Sequence, residues 1–493
     1  MGFGDKAKRA GVALAAFAAT AALVFFGNGL APHWPLVWFA PLPVLLFALK
    51  RPAWQAGLVA LGAWWVGCLN LWGYFRILNA PGVAWFADFG IIAVAFAAGV
   101  LLMRALARRG AVWSAWVALP ALWVTFEFAR NLWLWPHGSA GCIAYSQLNF
   151  LPFLQTASLA GPWGMGFVLM LFPVGLALAI HLWKPAKRQA VRILGTTLAI
   201  VVALLIFGAV RLAIPQSGPR VKVGLVASDT VKGVAKPGVA TERLFNQYAQ
   251  HAQDLIARGA QVVVLSENLG VVIDPHLAST DAIFQGIADS TGAVLVAGMT
   301  HPSSGVSHNQ ARIYVPGAAI RSYDKQHLLP PFETSHYKPG TSRMFFHAPG
   351  QAAGQTWGVA ICKDMDFTQP ARGYGRAGVG LMLVPAWDFR VDGFWHGHIA
   401  VMRAVEDGFS LVRSARTGLL TVADDRGRII AETPSNAAPF ATLLASVPEG
   451  HNGTLFLLLG DWFGWCAMAL LVMVLARLWA ASRGIFNGSK SVE

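Results

Sequence analysis

The sequence predicts a helical membrane domain of about eight spans carrying one mixed α/β layered domain. Three observations predict it. Of the 493 residues, 55% are hydrophobic and only 13% charged, with a mean hydropathy of +0.51, too apolar for a chain that keeps its surface in water. Apolar runs near the ~20 residues a bilayer requires recur through the N-terminal part and return near the C-terminus. Between them, Ser217–Gly450 has another texture: short β-type runs alternate with helical stretches and then give way to hairpin-like pairs.

The first span is Gly11–Leu30, preceded by Lys6, Lys8 and Arg9. A cleaved leader would have the same look, but apolar segments follow without a pause, so it is read as retained. Pro35–Leu49 is short and ends at Lys50-Arg51. Further spans are Ala56–Tyr74, Val83–Leu106, Val112–Phe128, Trp163–Leu182, Ile193–Ala213 and, last, Phe456–Leu478. The basic groups Lys6/Lys8/Arg9, Lys50/Arg51, Arg104/Arg108/Arg109, Lys184/Lys187/Arg188/Arg192 and Arg477/Arg483 fall on one face if seven spans precede the layered domain and an eighth follows it. The positive-inside rule makes that face cytoplasmic. Ser217–Gly450 is then outside, and the expected domains are 1–216, 217–450 and 451–493. The net charge of +14 would suit a nucleic-acid partner, but its placement in patches between apolar runs marks topology instead. The polar connector Arg130–Leu159, with His137, Gly138, Ser139, Tyr145, Ser146 and Gln147, reads either as a structured surface loop or as a substrate contact.

In the outside domain, strands are expected at Val221–Val226, Val262–Leu265, Ala293–Ala297, Arg312–Val315, Ile320–Tyr323, Gly358–Ile361, Gly380–Val384, Ser410–Arg413, Leu419–Ala423 and Arg428–Ala431. Helices are expected at Thr241–Arg258, Ala282–Ser290 and Gly397–Asp407. Three runs end in chemistry. Val262–Leu265 leads into Ser266-Glu267, Ile320–Asp324 into Lys325, and Gly358–Ile361 into Cys362. A carboxylate, an ammonium and a thiol at strand ends offer a base, a charge for an oxyanion and a nucleophile. Cys362 is the one cysteine of the outside domain, so no disulfide partner competes for it there. His396-Gly397-His398 gives no convergent metal pair on a helix, and no metal is expected.

Glu267 after its strand, Tyr323-Asp324-Lys325-Gln326-His327-Leu328, and a strand ending at Cys362, in this order and at these spacings, resemble the nitrilase (carbon–nitrogen hydrolase) superfamily. The resemblance implies an αββα sandwich with a Glu-Lys-Cys triad at Glu267, Lys325 and Cys362. In the membrane part, Pro120-Ala121-Leu122-Trp123-Val124, Glu127, Arg130, Tyr145-Ser146-Gln147 and Gly161-Pro162-Trp163-Gly164 resemble the apolipoprotein N-acyltransferase family. That implies eight spans with the nitrilase-like domain before the last. Glu333 matches a second carboxylate of the family, and Met402-Arg403-Ala404-Val405-Glu406 with Ala415-Arg416-Thr417-Gly418 resemble its later motifs. Ser266-Glu267-Asn268, Cys362-Lys363-Asp364 and Pro385-Ala386-Trp387-Asp388-Phe389 stand where the family usually has Pro-Glu-Thr, Cys-Tyr-Glu and Asn-Asp-Ala-Trp-Phe. Near Ala227-Ser228-Asp229 its Gln-Gly-Asn is absent.

The resemblance implies a monomeric enzyme of the bacterial inner membrane that needs no cofactor. It would move an acyl chain from a phospholipid through a Cys362 thioester to the terminal amine of an apolipoprotein. Glu267 would be the base and Lys325 the oxyanion cation, with Glu333, Asp364 and Trp387 supporting or lining the pocket. The loops Phe332–Phe346 and Trp387–Trp395 are expected to roof it with aromatics. Two rivals stand beside this reading: a membrane-tethered amidase in which water replaces the amine, and a non-catalytic lipid- or lipoprotein-binding relative.

Overall fold

A computed structural model describes residues 3–133, 138–216, 218–303, 305–347 and 355–482. They divide into two compact units. One comprises Met1–Leu134, Gly141–Val210 and Asp461–Glu493; the other comprises Trp135–Ala140 and Arg211–Gly460.

Among the described residues, seven helices are long and apolar enough to cross a membrane: Ala7–Gly27, Ala53–Ile77, Gly82–Arg108, Val112–Trp133, Ala157–Leu182, Lys187–Ala213 and Trp462–Ala480. The expected second span is a shorter apolar stretch, Trp34–Lys50, broken into Trp34–Val37 and Leu42–Lys50. The expected start of the last span is corrected. Leu455–Leu459 is a separate short helix, because the chain turns at Gly460 with φ +68° and the long helix begins at Trp462. Arg483 and His137 lie outside the described residues.

Close helix approach in the first unit rests on small residues. A Cβ on Gly99 would stand 2.4 Å from Leu119, and one on Gly175 2.2 Å from Thr197, spacing that lipid-embedded bundles use because packing replaces the hydrophobic drive there. Tyr145, Ser146 and Gln147 are buried, so this part of the connector is not surface. Glu127 Oε1 accepts from Ile143 N at 2.7 Å, and Gln147 Oε1 accepts from Trp38 Nε1 at 2.9 Å.

Among the described residues, the second unit contains twelve strands in two sheets: β1 (Arg220–Ala227), β2 (Val262–Leu265), β3 (Val294–Ser303), β4 (Val306–Tyr314), β5 (Arg321–Asp324), β6 (Met344–His347), β7 (Thr356–Val359), β8 (Val379–Trp387), β9 (Ser410–Arg416), β10 (Leu419–Ala423), β11 (Ile429–Pro434) and β12 (Ala441–Pro448). One sheet runs β12-β1-β2-β3-β4-β5 and the other β11-β10-β9-β8-β7-β6. The centre of each is parallel, β1–β2–β3 and β7–β8–β9. Period-two alternation explains the layers. Val262 and Val264 face the core between the sheets with Val359, Ile361, Leu381 and Leu383. Val263 and Leu265 face outward onto the helix Val239–Ala257. On the other sheet, Met382 and Val384 face outward onto Ala400, Val401 and Ala404 of helix Gly393–Asp407. Strands covered on both faces read as continuous apolar runs, and the result is a four-layer α-β-β-α sandwich.

Candidate active site

Parallel strands in covered sheets deliver their following residues to one rim, where α/β proteins place their chemistry. Glu267 follows β2 and Lys325 follows β5, both in the first sheet. Cys362 follows β7 and Trp387 ends β8, both in the second. β8 joins the sides. The Ala386 carbonyl accepts from Glu267 N at 3.3 Å, and the next carbonyl, that of Trp387, accepts from Cys362 Sγ at 3.5 Å. The thiol and the Glu267 backbone are therefore anchored to consecutive residues of one strand.

Lys325, Glu267 and Glu333 form a buried cluster. Lys325 Nζ donates to Glu267 Oε1 at 2.8 Å and to Glu333 Oε1 and Oε2 at 2.9 and 2.8 Å. Burying one ammonium among two carboxylates is tolerable only with such close pairing. Asn309, which the sequence reading missed, stands between the carboxylates: its Nδ2 donates to Glu267 Oε1 at 2.6 Å and to Glu333 Oε1 at 2.8 Å. Its backbone carbonyl accepts from Lys325 N at 2.9 Å. Its neighbours Ser307, His308, Gln310 and Arg312 are polar as well, so nothing local in β4 sets it apart. Glu267 Oε2 is buried and has no hydrogen-bond partner among the described residues.

The charges set the protonation states. Burial pushes the Glu267 carboxyl above its usual range; Lys325 opposes the rise and Glu333 adds to it. Burial works to lower the Lys325 pKa, but Glu267 and Glu333 outweigh it and hold the ammonium well above its usual range. Burial also pushes the Cys362 thiol well up, Glu267 adds to that, and Lys325 offsets it only in part. At rest the cluster holds a thiol beside an ion pair, and the thiolate forms only as a base accepts its proton.

Cys362 has φ +42°, a left-handed backbone that costs a non-glycine residue about 1 kcal/mol or more. Asp364 is buried and fixes this turn. Its Oδ2 accepts from Ile361 N at 3.0 Å and from Tyr323 Oη at 2.7 Å. Its Oδ1 accepts from His327 N at 2.8 Å and from Gln326 N at 3.2 Å, and lies 2.9 Å from His327 Nδ1. One carboxylate thus ties the turn bearing Cys362 to the residues flanking Lys325.

Trp387 is partly buried, with the Arg416 guanidinium 4.3 Å from its ring centre. Arg416 Nη1 donates to Asn268 O at 3.1 Å, next to Glu267. Asp388 is held by a bidentate pair from Arg413, at 2.9 and 2.6 Å. The two aromatic loops meet, since Phe332 and Phe389 have ring centres 5.7 Å apart. The expectation for the rest of those loops is corrected in part. Phe346 is buried in the core against Trp357 because β6 turns it inward, leaving Phe345 exposed. His396 and His398 face different carboxylates, Asp366 and Glu432, and no group of three metal-ligating side chains occurs among the described residues.

A four-layer sandwich with a cysteine and a buried Glu–Lys pair at its rim, in a chain with long apolar helices, defines a membrane-bound enzyme of the carbon–nitrogen hydrolase class. A model of the carbon–nitrogen hydrolases matches residues 235–450, and a model of the apolipoprotein N-acyltransferase N-terminal domain matches residues 15–175. The apolipoprotein N-acyltransferase of Geobacter metallireducens is 27% identical over 90% of this chain and 90% of its own. That of Bradyrhizobium diazoefficiens is 26% identical over 86% of each. Among solved structures, an amidase from Nesterenkonia sp. is 20% identical and covers 48% of this chain and 94% of its own, at a TM-score of 0.39. Along about nine-tenths of its length the chain is therefore similar to the apolipoprotein N-acyltransferases, with a carbon–nitrogen hydrolase domain at residues 235–450.

Proposed function

We propose that this protein transfers an acyl chain from a phospholipid to the terminal amine of a diacylglyceryl-cysteine on an apolipoprotein. The observation that carries the chemistry is the buried Glu267 carboxylate, one oxygen held by Lys325 and Asn309 and the other without a partner among the described residues, acting electrostatically on the Cys362 thiol. Relatives similar over about nine-tenths of the chain and named as apolipoprotein N-acyltransferases support the choice of substrates.

In the first half-reaction Glu267 Oε2 takes the Cys362 proton as sulfur attacks the sn-1 ester carbonyl. The Lys325 charge, with the first N–H groups of the helical turn opening at Cys362, stabilises the oxyanion. The carbon–oxygen bond breaks, the glycerol oxygen takes the proton from Glu267, and lysophospholipid departs. In the second half-reaction the free amine attacks the thioester, its proton passes to Glu267, and the carbon–sulfur bond breaks with return of that proton to sulfur. Glu333 neutralises Lys325, Asp364 positions the Cys362 turn, and Trp387 fixes the thiol through its carbonyl.

Purified protein given phospholipid vesicles and a diacylglyceryl peptide should yield N-acylated peptide and lysophospholipid in equal amounts. Free fatty acid as the main product, with the peptide unchanged, would replace this reading with the hydrolase.

The proposed orientation puts both termini in the cytoplasm of the bacterial inner membrane and residues 217–450 outside, on the strength of the basic groups. Alkaline phosphatase fused at Gly238 should be active and at Lys187 silent; the reverse pattern would refute the orientation.

A further inference from the structure

His396 is a mostly buried titratable group that the proposed reaction does not use. It follows the helix start at Gly393, and its ring lies between two buried aspartates. Nδ1 is 3.1 Å from Asp366 Oδ1, and Nε2 is 3.3 Å from Asp392 Oδ2. A neutral imidazole has one donor and one acceptor, and an acceptor aimed at a carboxylate is repelled. Both nitrogens can face ionised carboxylates favourably only when both carry protons.

The two aspartates belong to the two segments that meet at the thiol. Asp366 ends the helical turn Cys362–Asp366, and its other oxygen is 3.2 Å from Lys363 Nζ. Asp392 ends the loop whose first residue, Trp387, accepts from Cys362 Sγ, and its Oδ1 accepts from Phe389 N at 2.8 Å. Phe389 packs on Phe332, the residue before the Lys325 partner Glu333. The chain from His396 therefore runs in one direction to the nucleophile turn and in the other to the aromatic pair beside the Lys325–Glu333 cluster.

We propose that His396, as an imidazolium shared by Asp366 and Asp392, latches the loop Trp387–Asp392 onto the Cys362–Asp366 turn and so keeps water from the acyl-enzyme. This rests on the transferase reading. A thioester that must wait for an amine needs its roof held shut, and two buried carboxylates hold it only while a cation lies between them. The charged groups facing His396 are Lys363 and Asp366 from the turn, Asp388 and Asp392 from the loop, and Arg413 from β9 behind Asp388. Burial works to lower the His396 pKa, but Asp366 and Asp392 raise it to about 10, so the latch stays charged through neutral pH. Its contribution is fully present below the unfolded pKa near ~6.5 and is lost as pH rises through about 10.

The test compares His396→Gln and Asp392→Asn with wild type, the second keeping an acceptor for Phe389 N. Acyl-enzyme is formed from phospholipid vesicles, and the ratio of free fatty acid to N-acylated peptide is measured, with thermal unfolding and Cys362 acylation by a short-chain soluble ester as controls on the fold. Each variant should raise the ratio roughly tenfold, with soluble-ester acylation changed far less. An unchanged ratio in a folded variant would overturn the latch. So would an equal loss of transfer and hydrolysis, or failure of both variants to fold, which would make the contact purely structural. If wild type forms no acyl-enzyme, the proposed reaction fails first; if wild type transfers and the ratios match, only the latch fails.

Discussion

Cys362→Ala should abolish acyl transfer while leaving the protein folded. The side chain contributes little to stability: among the described residues its one hydrogen bond is the 3.5 Å contact to the Trp387 carbonyl, and alanine suits the left-handed backbone at φ +42° no worse than cysteine does. The turn itself is held by Asp364, whose bonds do not involve the thiol. Intact-mass measurement after incubation with phospholipid should show a hydroxylamine-sensitive acyl adduct on wild type and none on the variant. Turnover persisting in Cys362→Ala would remove the covalent mechanism altogether.

Glu267→Gln and Lys325→Met should each reduce turnover on the order of 10²-fold or more, for different reasons. A glutamine at 267 still offers one oxygen to Lys325 and Asn309, which now bond Oε1, but puts an amide where the free Oε2 stands. The fold should survive and the base be lost. Because the base must be ionised, wild-type rate rises with pH through the Glu267 pKa. Burial and Glu333 place that limb above the usual carboxylate range, and Glu267→Gln should abolish it. An acid limb at the ordinary carboxylate position, or unchanged in the variant, would assign the base elsewhere. Lys325→Met instead leaves Glu267 and Glu333 buried without their cation, a defect worth about 3–5 kcal/mol. Its thermal midpoint should fall, so activity has to be compared where the variant remains folded.

Much of this was legible in the chain. Runs such as Val262–Leu265 announce a strand buried on both faces because every position is apolar, and the residue after such a run is carried to a sheet rim. That physics located Glu267, Lys325 and Cys362 as strand-end groups. The strand β12 was missed because it pairs only at the sheet edge, and its partly exposed middle breaks the apolar pattern. Asn309 was missed because what marks it is a pair of carboxylates 42 and 24 residues away, a relation that no local pattern holds. The same limit applied to the aromatic loops: composition grouped Phe345 with Phe346, and only strand alternation separates the exposed one from the buried one. Asp364 was named as a supporting residue, but its several simultaneous acceptor contacts emerge only when Tyr323 and His327 are brought to it by the fold.

The layered unit is not one continuous piece of sequence, since it includes residues 138–140 from the connector between two long apolar helices. Ser139 donates to the Asp366 carbonyl through both its backbone N–H and its hydroxyl, at 3.2 and 2.8 Å. Arg403 Nη1 donates to the same hydroxyl at 3.3 Å. Gly138 lies so close to Phe367 that a Cβ would stand 2.8 Å from its ring. A fragment cut at Ser217 would retain every proposed catalytic side chain and yet lose the Ser139 donors to the backbone carbonyl of Asp366, the last residue of the nucleophile turn. The unit is therefore a poor cassette: neither a soluble truncation nor a domain swap at that boundary carries the whole of it, and a transplant that is to keep the nucleophile turn intact has to bring the connector along.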